Sequence, residues 1–273
     1  MTNVVVGAGS GMGAAVAREL APRGRLIVAD ANVAGVEQVA AQITAELGGD
    51  VEAVACDVTD QAQVDALVAR IDDLDALVHT AGLSGSMAPG RRIYEVNLIG
   101  MARMLEAVEP LLRPGSVAVC FASMSGHRVP DNGPLMEALD NPLSPDFFDG
   151  ITALGLDPDQ PQLAYPTSKR AIIRMVRRLA PSWGARGARI MSISPGINDT
   201  PMNRLDESRH PIMADFIKAG PLGRRGQPEE VAKVVAFLTS DDASFMTGSD
   251  VLVDGGMVAV IPEDSTGGRA QAS

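Results

Sequence analysis

The chain has 273 residues, 46% of them hydrophobic, and a formal charge of -11 at pH 7 with a pI near 4.7. That length suffices to bury a sizeable core as one large domain. The acidity opposes a nucleic-acid or anionic-membrane surface, since phosphates would be repelled, and leaves small molecules as the expected partners. Cys56 and Cys120 are the only cysteines, each within an apolar run that reads as a buried strand, so free thiols in a reducing compartment are expected. His79, His127 and His210 lie far apart and form no H-x-x-x-H pair, so no metal site is expected. The apolar stretch "VVVGAG" begins almost at Met1, which leaves no room there for a secretory leader, and no apolar run reaches membrane-span length. A cytoplasmic location is the expectation.

Short apolar runs alternate with longer segments of helical period. The runs at 3–6, 26–29, 51–56, 76–79, 116–121, 189–193 and 250–253 read as strands. The segments at 12–20, 33–47, 61–71, 91–112, 163–183 and 228–238 repeat apolar residues at three- and four-residue steps and read as helices. Such alternation predicts an α/β fold: a single-domain, doubly wound parallel sheet of seven strands with helices on both faces, spanning residues 1–261. Residues 126–162, rich in Pro, Asp, Asn and Gly, read as an inserted excursion holding a helix or two. Residues 196–226 show little period but carry Met202, Leu205, Ile212, Met213, Phe216 and Ile217, the composition of a mobile lid over an apolar pocket. The polar tail 262–273 is expected to be disordered.

"VVVGAGSGMGAAVARELA" joins strand, glycine turn and helix directly. Glycines at 7, 9, 11 and 13 permit two registers: Gly9, Gly11 and Ala14 as G-x-G-x-x-A, or Gly7, Gly11 and Gly13 as G-x-x-x-G-x-G. In either, the absent side chains admit a pyrophosphate to the backbone, and the helix beginning near Met12 offers unpaired N–H groups and partial positive charge. The second strand ends at Asp30, where a carboxylate can accept both ribose hydroxyls of an adenosine. It would repel a 2′-phosphate, and no arginine or lysine follows closely, so NAD is favoured over NADP. A methyltransferase shares these two features, which by themselves do not decide the ligand.

"QLAYPTSKRAII" sets Tyr165 and Lys169 one turn apart on one helical face. A fixed ammonium beside a phenol favours phenolate, which would make the tyrosine a general acid and base for an alcohol–carbonyl pair. Ser123 lies at the end of the fifth strand, the edge where doubly wound sheets place ligands, and the turn "SPGINDTPM" follows the sixth strand at that same edge. Asn97 is an amide amid apolar residues of the 91–112 helix and needs partners.

Together these residues resemble the short-chain dehydrogenase/reductase family, Rossmann-fold enzymes that move hydride between a nicotinamide cofactor and an alcohol or carbonyl. The resemblance implies Tyr165 as general acid/base and Lys169 as the group that lowers its pKa and holds the nicotinamide ribose. It implies Ser123 as donor to the substrate oxygen and Asn97 as the amide positioning a relay water. Cofactor contacts implied are Gly7, Ser10, Gly11, Met12 and Gly13 in the loop, which selects the second glycine register, and Asp30, Asp57 and Val58 at the adenosine. Thr80, Ala81 and Gly82 would lie beside the ribose, and Pro195, Gly196, Ile197 and Thr200 at the carboxamide end. Two departures stand out. Val6 replaces the family's usual threonine, so one stabilising hydrogen bond should be missing, and His79-Thr80-Ala81-Gly82 replaces N-N-A-G. His79 is expected to be a core histidine bonded to backbone.

The wide spacing of Ser123 and Tyr165 marks 126–162 as an insertion, and with "GRRGQPEEVAKVVAFL" and "VLVDGG" makes the chain similar to the bacterial 3α-hydroxysteroid dehydrogenase/carbonyl reductase subgroup. The family implies a homodimer or homotetramer, with the insertion near the helices that often pair subunits. The apolar residues of 202–217, with Phe147 and Phe148, suggest a bulky hydrophobic alcohol or ketone such as a steroid or alicyclic compound. A non-catalytic, redox-sensing dinucleotide binder is the rival reading.

Overall fold

A computed structural model describes residues 1–260. The expectation for the 262–273 tail lies outside the described residues. Seven strands, β1 (Thr2–Val6), β2 (Arg25–Asp30), β3 (Val51–Ala55), β4 (Leu74–His79), β5 (Val117–Phe121), β6 (Arg189–Pro195) and β7 (Asp250–Val253), form one parallel sheet in the order 3-2-1-4-5-6-7. Each matches a run read from the sequence. All carboxyl ends therefore share one edge, and the winding reverses between β1 and β4, which opens a crevice there.

Parallel strands covered on both faces must be apolar on both, and β1 shows how alternation divides them. Val4 and Val6 enter the core beneath α3 (Gln61–Val68), α4 (Gly90–Tyr94), α5 (Gly100–Val108) and α8 (Pro161–Ala185). Val5 enters the opposite core, beneath α1 (Gly11–Leu20), α2 (Val33–Leu47) and α11 (Pro228–Leu238). The fold class is thus the doubly wound Rossmann sheet that the sequence predicts.

The predicted helix at 91–112 is not continuous. Between α4 and α5 runs a π-helical turn, Glu95–Ile99, in which the Gly100 N–H reaches back to the Glu95 carbonyl. A Cβ at position 100 would meet Val58 Cγ2 at 2.5 Å, so glycine lets this turn press against the loop after β3. A π turn of this kind displaces side chains from the regular helical register, and it carries Asn97.

The excursion folds into α6 (Pro134–Leu139) and α7 (Phe147–Ala153). Phe147 is the apolar anchor, buried edge-on against Tyr94 with ring centroids 5.7 Å apart. The excursion is also clamped to α8 by charge: Arg174 reaches Asp140 at 2.7 Å and Asp131 at 3.2 Å, and Arg170, Arg177 and Arg178 add further pairs. Residues 196–226 are more regular than expected, with α9 (Pro201–Arg209) and α10 (Ile212–Ala219) packed at the carboxyl edge. Their helical period is hidden in the sequence because α9 buries no side chain fully. Replacing Phe147 by Ala should remove the anchor and cost about 3–5 kcal/mol, read as a lowered urea midpoint with an unchanged far-ultraviolet dichroism spectrum.

Candidate functional site

The first turn after β1 is built by close approach. Gly7 adopts φ +85°, and a Cβ on Gly13 would lie 2.0 Å from the Gly7 carbonyl oxygen. Gly7 and Gly13 thus pack on each other in the G-x-x-x-G-x-G register. Ser10 precedes α1 without a side-chain cap bond, so the first N–H groups of that ten-residue helix remain available to an anion. The turn also receives a side-chain hydrogen bond from the residue after β4. Thr80 Oγ1 lies 2.8 Å from the Val6 carbonyl oxygen and 3.0 Å from that of Gly7, and donates its proton to this pair.

A cleft of about 540 Å³ opens over this turn. Of the predicted contacts, Gly7, Ser10, Gly11, Met12, Gly13, Asp30, Asp57, Val58, Thr80, Ala81, Gly82 and Thr200 all line it. Asp30 is held rigidly: its two carboxylate oxygens accept from Gly9 N and Asn32 N, each at 2.8 Å. Asp57 accepts from Thr59 N at 2.9 Å and pairs with Arg92 at 3.0 Å, contacts that hold its carboxyl below the ordinary value against the upward pull of burial. Sequence reasoning missed Arg92. The available signal was its place one turn before Val96, another cleft residue, on the predicted 91–112 helix.

A second cavity, about 530 Å³, lies along the same edge. Ser123, Tyr165, Gly196 and Ile197 line it, with Met213 and Phe216 from α10. Pro195 ends β6 and is buried beside them. Lys169 is buried on α8, its Nζ donating to the Phe121 carbonyl at 2.9 Å and lying 5.9 Å from the Tyr165 ring centroid. It also borders the first cleft, since a Cβ on Gly82 would be 3.4 Å from Nζ. The three chemical side chains therefore converge, as the sequence predicts.

One expectation changes here. Tyr165 is not made more acidic by the protein alone. Burial pushes its pKa above 10, the nearby Ser123 hydroxyl offsets only part of that, and the charge of Asp206 adds to the rise. Lys169 does not prevail because burial lowers its own pKa to about 8 and its ammonium is turned to a carbonyl. The side chain of Asn97 bonds one backbone residue through both ends: Oδ1 accepts from Leu83 N at 2.7 Å and Nδ2 donates to Leu83 O at 3.0 Å. It braces the loop after β4 and keeps one further N–H and one further lone pair.

His79 is a core residue as expected; among the described residues neither ring nitrogen makes a well-formed hydrogen bond, and the one backbone group acting on the ring is its own. Complete burial beside the Lys169 charge lowers its pKa to about 3. The two thiols are inert for a similar reason, burial pushing Cys56 to about 11 and Cys120 to about 12.

The turn after Ser123 is tied across the sheet. His127 Nε2 lies 2.8 Å from Asp250 Oδ2, while Asp250 Oδ1 accepts from Ser192 at 2.6 Å and Ser194 at 3.0 Å. Opposite, α9 is capped by Thr200, whose hydroxyl accepts from Asn203 N at 3.2 Å, and its Asp206 accepts from Ser84 Oγ at 2.7 Å. The Asp206–Ser84 bond thereby ties α9 to the loop after β4.

Comparison with known proteins agrees with this geometry. The family model described as enoyl-(acyl carrier protein) reductase matches residues 7–139 and 155–258, and 3α-hydroxysteroid dehydrogenase/carbonyl reductase of Comamonas testosteroni is 32% identical over 94% of this chain and 96% of its own. The chain belongs to the short-chain dehydrogenase/reductase family. Cis-4-hydroxycyclohexanecarboxylate dehydrogenase of Sinomonas cyclohexanicum is also 32% identical, over 94% of this chain and 96% of that one. The solved structure of 7α-hydroxysteroid dehydrogenase complexed with NADH and 7-oxo glycochenodeoxycholic acid superposes with a TM-score of 0.75 at 26% identity, covering 93% of each chain. As a member of this family the protein is an oxidoreductase with a nicotinamide dinucleotide cofactor, and the cleft over the glycine turn has the cradle, the helix terminus and the acidic partner that such a cofactor requires. Among the described residues no helix is long and apolar enough to cross a membrane.

A histidine kept neutral in the fold but free to protonate when unfolded makes the unfolded chain bind more protons between pH 6.5 and 3. Its contribution is intact above pH 6.5 and lost as the pH falls toward 3. His79→Asn should therefore flatten the loss of stability across that window by a few kcal/mol, since each tenfold change in proton affinity is worth about 1.4 kcal/mol. Urea denaturation at successive pH values measures the difference.

Proposed function

We propose that the protein is an NAD(H)-dependent dehydrogenase/reductase that interconverts a secondary alcohol and a ketone on a hydrophobic, alicyclic small molecule through Ser123, Tyr165 and Lys169. The observation that carries this reading is the shared position of the three groups. Ser123 and Tyr165 face one cavity, and Lys169 lies between that cavity and the glycine-turn cleft. A binding-only, redox-sensing role would not explain that convergence.

Bound in the cleft, the dinucleotide supplies the hydride acceptor for oxidation or the donor for reduction, and its oxidised ring brings a positive charge. Ser123 and Tyr165 hold the substrate oxygen by hydrogen bonds. In oxidation the Tyr165 phenolate takes the hydroxyl proton while the carbinol carbon gives up hydride, and in reduction the phenol returns that proton to the carbonyl oxygen. Lys169 stabilises the phenolate when charged. The preference for NAD rests on Asp30, whose pinned carboxylate would meet a 2′-phosphate at close range. Arg92 lines the same cleft but is already paired with Asp57 and Glu95, so it offers a phosphate little net charge.

Ile212, Met213 and Phe216 give the second cavity its apolar wall, and the names of the hydroxysteroid and hydroxycyclohexanecarboxylate relatives favour a ring-bearing alcohol. Exposed Phe237, Phe245 and Leu252 near the open β7 edge favour a homo-oligomer that covers them.

Tyr165→Phe should lower turnover of cyclic ketones by roughly 10²- to 10⁴-fold while NADH fluorescence titration still shows binding; an unchanged rate contradicts the assignment. Asp30→Ala should reduce the ratio of kcat/KM for NAD over NADP, measured with the same alcohol.

A further inference from the structure

We propose that Arg128 is a carboxylate anchor, and that the substrates are therefore hydroxy or keto acids whose carboxylate lies at the far end of the molecule from the reacting carbon. The inference rests on the assignment of the Ser123–Tyr165 cavity as the substrate site.

Arg128 closes the short turn Met124–Arg128 that begins directly after Ser123, and it lines the same cavity as Ser123 and Tyr165. It is exposed at the rim, whereas Ser123 is buried. Every other arginine among the described residues directs its guanidinium to a carboxylate or a carbonyl of the protein. Arg128 alone makes no such contact among those residues. A planar guanidinium with five unspent donors is suited to a bidentate carboxylate. In a chain of net charge -11 that would repel anions at long range, an unpaired cation at the cavity mouth changes which substrates can enter.

The cavity is also polarised. Asp206 is its one acidic lining residue, held by Ser84, and its charge acts on Tyr165. An anionic substrate group would be repelled at the Tyr165 end and attracted at the Arg128 end. Gln162 and His210 line this cavity as further hydrogen-bonding groups, and Met213 and Phe216 supply apolar surface for a ring. On this assignment the carbinol or carbonyl sits at Ser123 and Tyr165, the apolar ring against α10 and the carboxylate at Arg128.

The test pairs a charged with a neutral ketone: 4-oxocyclohexanecarboxylate and its methyl ester, reduced with NADH by wild type, Arg128→Met and Arg128→Lys. The wild type should favour the acid in kcat/KM by roughly ten- to a hundredfold, the range for a hydrogen-bonded charge. Arg128→Met should collapse that ratio to near one, mainly through KM, and Arg128→Lys should restore part of it. A wild-type ratio near one, or a ratio unmoved in Arg128→Met, overturns the inference while turnover of the ester upholds the parent reading. Calorimetric titration of the NADH complex with cyclohexanecarboxylate and its amide separates the two further. Preference for the anion that Arg128→Met abolishes supports the anchor even if neither ketone is turned over, a result that would overturn the proposed reaction alone. Equal binding of both overturns the anchor.

Discussion

The site depends on a lysine buried without a carboxylate partner. Lys169 sits within α8, sinks its ammonium against the Phe121 carbonyl at the end of β5, and lies near both cavities at the carboxyl edge of the sheet. Burial of an ammonium is costly, and the drop of its pKa to about 8 records that cost. The fold tolerates it because α8 is held by two independent sets of contacts, its apolar residues in the core and its arginines on the acidic excursion. What the arrangement provides is a cation one helical turn from a phenol, at the point where a dinucleotide and a substrate meet.

The same burial explains why the phenol is quiescent in the free protein. A tyrosine with raised pKa stores no reactive phenolate at neutral pH. Its surroundings are set from three elements at once: the Ser123 turn strapped to β7 by His127 and Asp250, α8 itself, and α9 carrying Asp206. The 126–162 excursion contributes by fastening α8 through Asp140 on Arg174 and α4 through Phe147 on Tyr94, whose hydroxyl is in turn bonded to Thr167 of α8. It is a structural brace for the helix that bears Tyr165 and Lys169.

Much of this was legible in the sequence because the signals were local. Seven apolar runs became seven strands, and the glycine turn, Asp30, Ser123, Tyr165 and Lys169 sit where their periods and strand ends put them. What escaped were the non-local effects. The π turn at Glu95–Ile99 is followed by Gly100, which packs on Val58 of a separate segment. The helix at 201–209 has too few buried side chains to show a period. Thr80 bonds the Val6 carbonyl from across the sheet, 74 residues away in sequence. The direction of the Tyr165 pKa change is hidden because pairing with Lys169 is visible in the sequence, whereas burial of both groups is not. That Arg128 has no partner among the described residues is likewise a property of the folded arrangement.

The central claim concerns the acidity of one phenol, and a chain with only two tyrosines allows it to be measured. Tyr94, buried and bonded to Thr167, is pushed up to about 12, so the titration is carried out in Tyr94→Phe, where phenolate absorbance on raising the pH reports Tyr165 alone. The account predicts that Tyr165 in the free protein titrates above the ordinary value near 10, that saturating NAD moves the midpoint downward, and that Lys169→Met diminishes that movement. A free-protein midpoint well below 10, or one that NAD leaves in place, would contradict it.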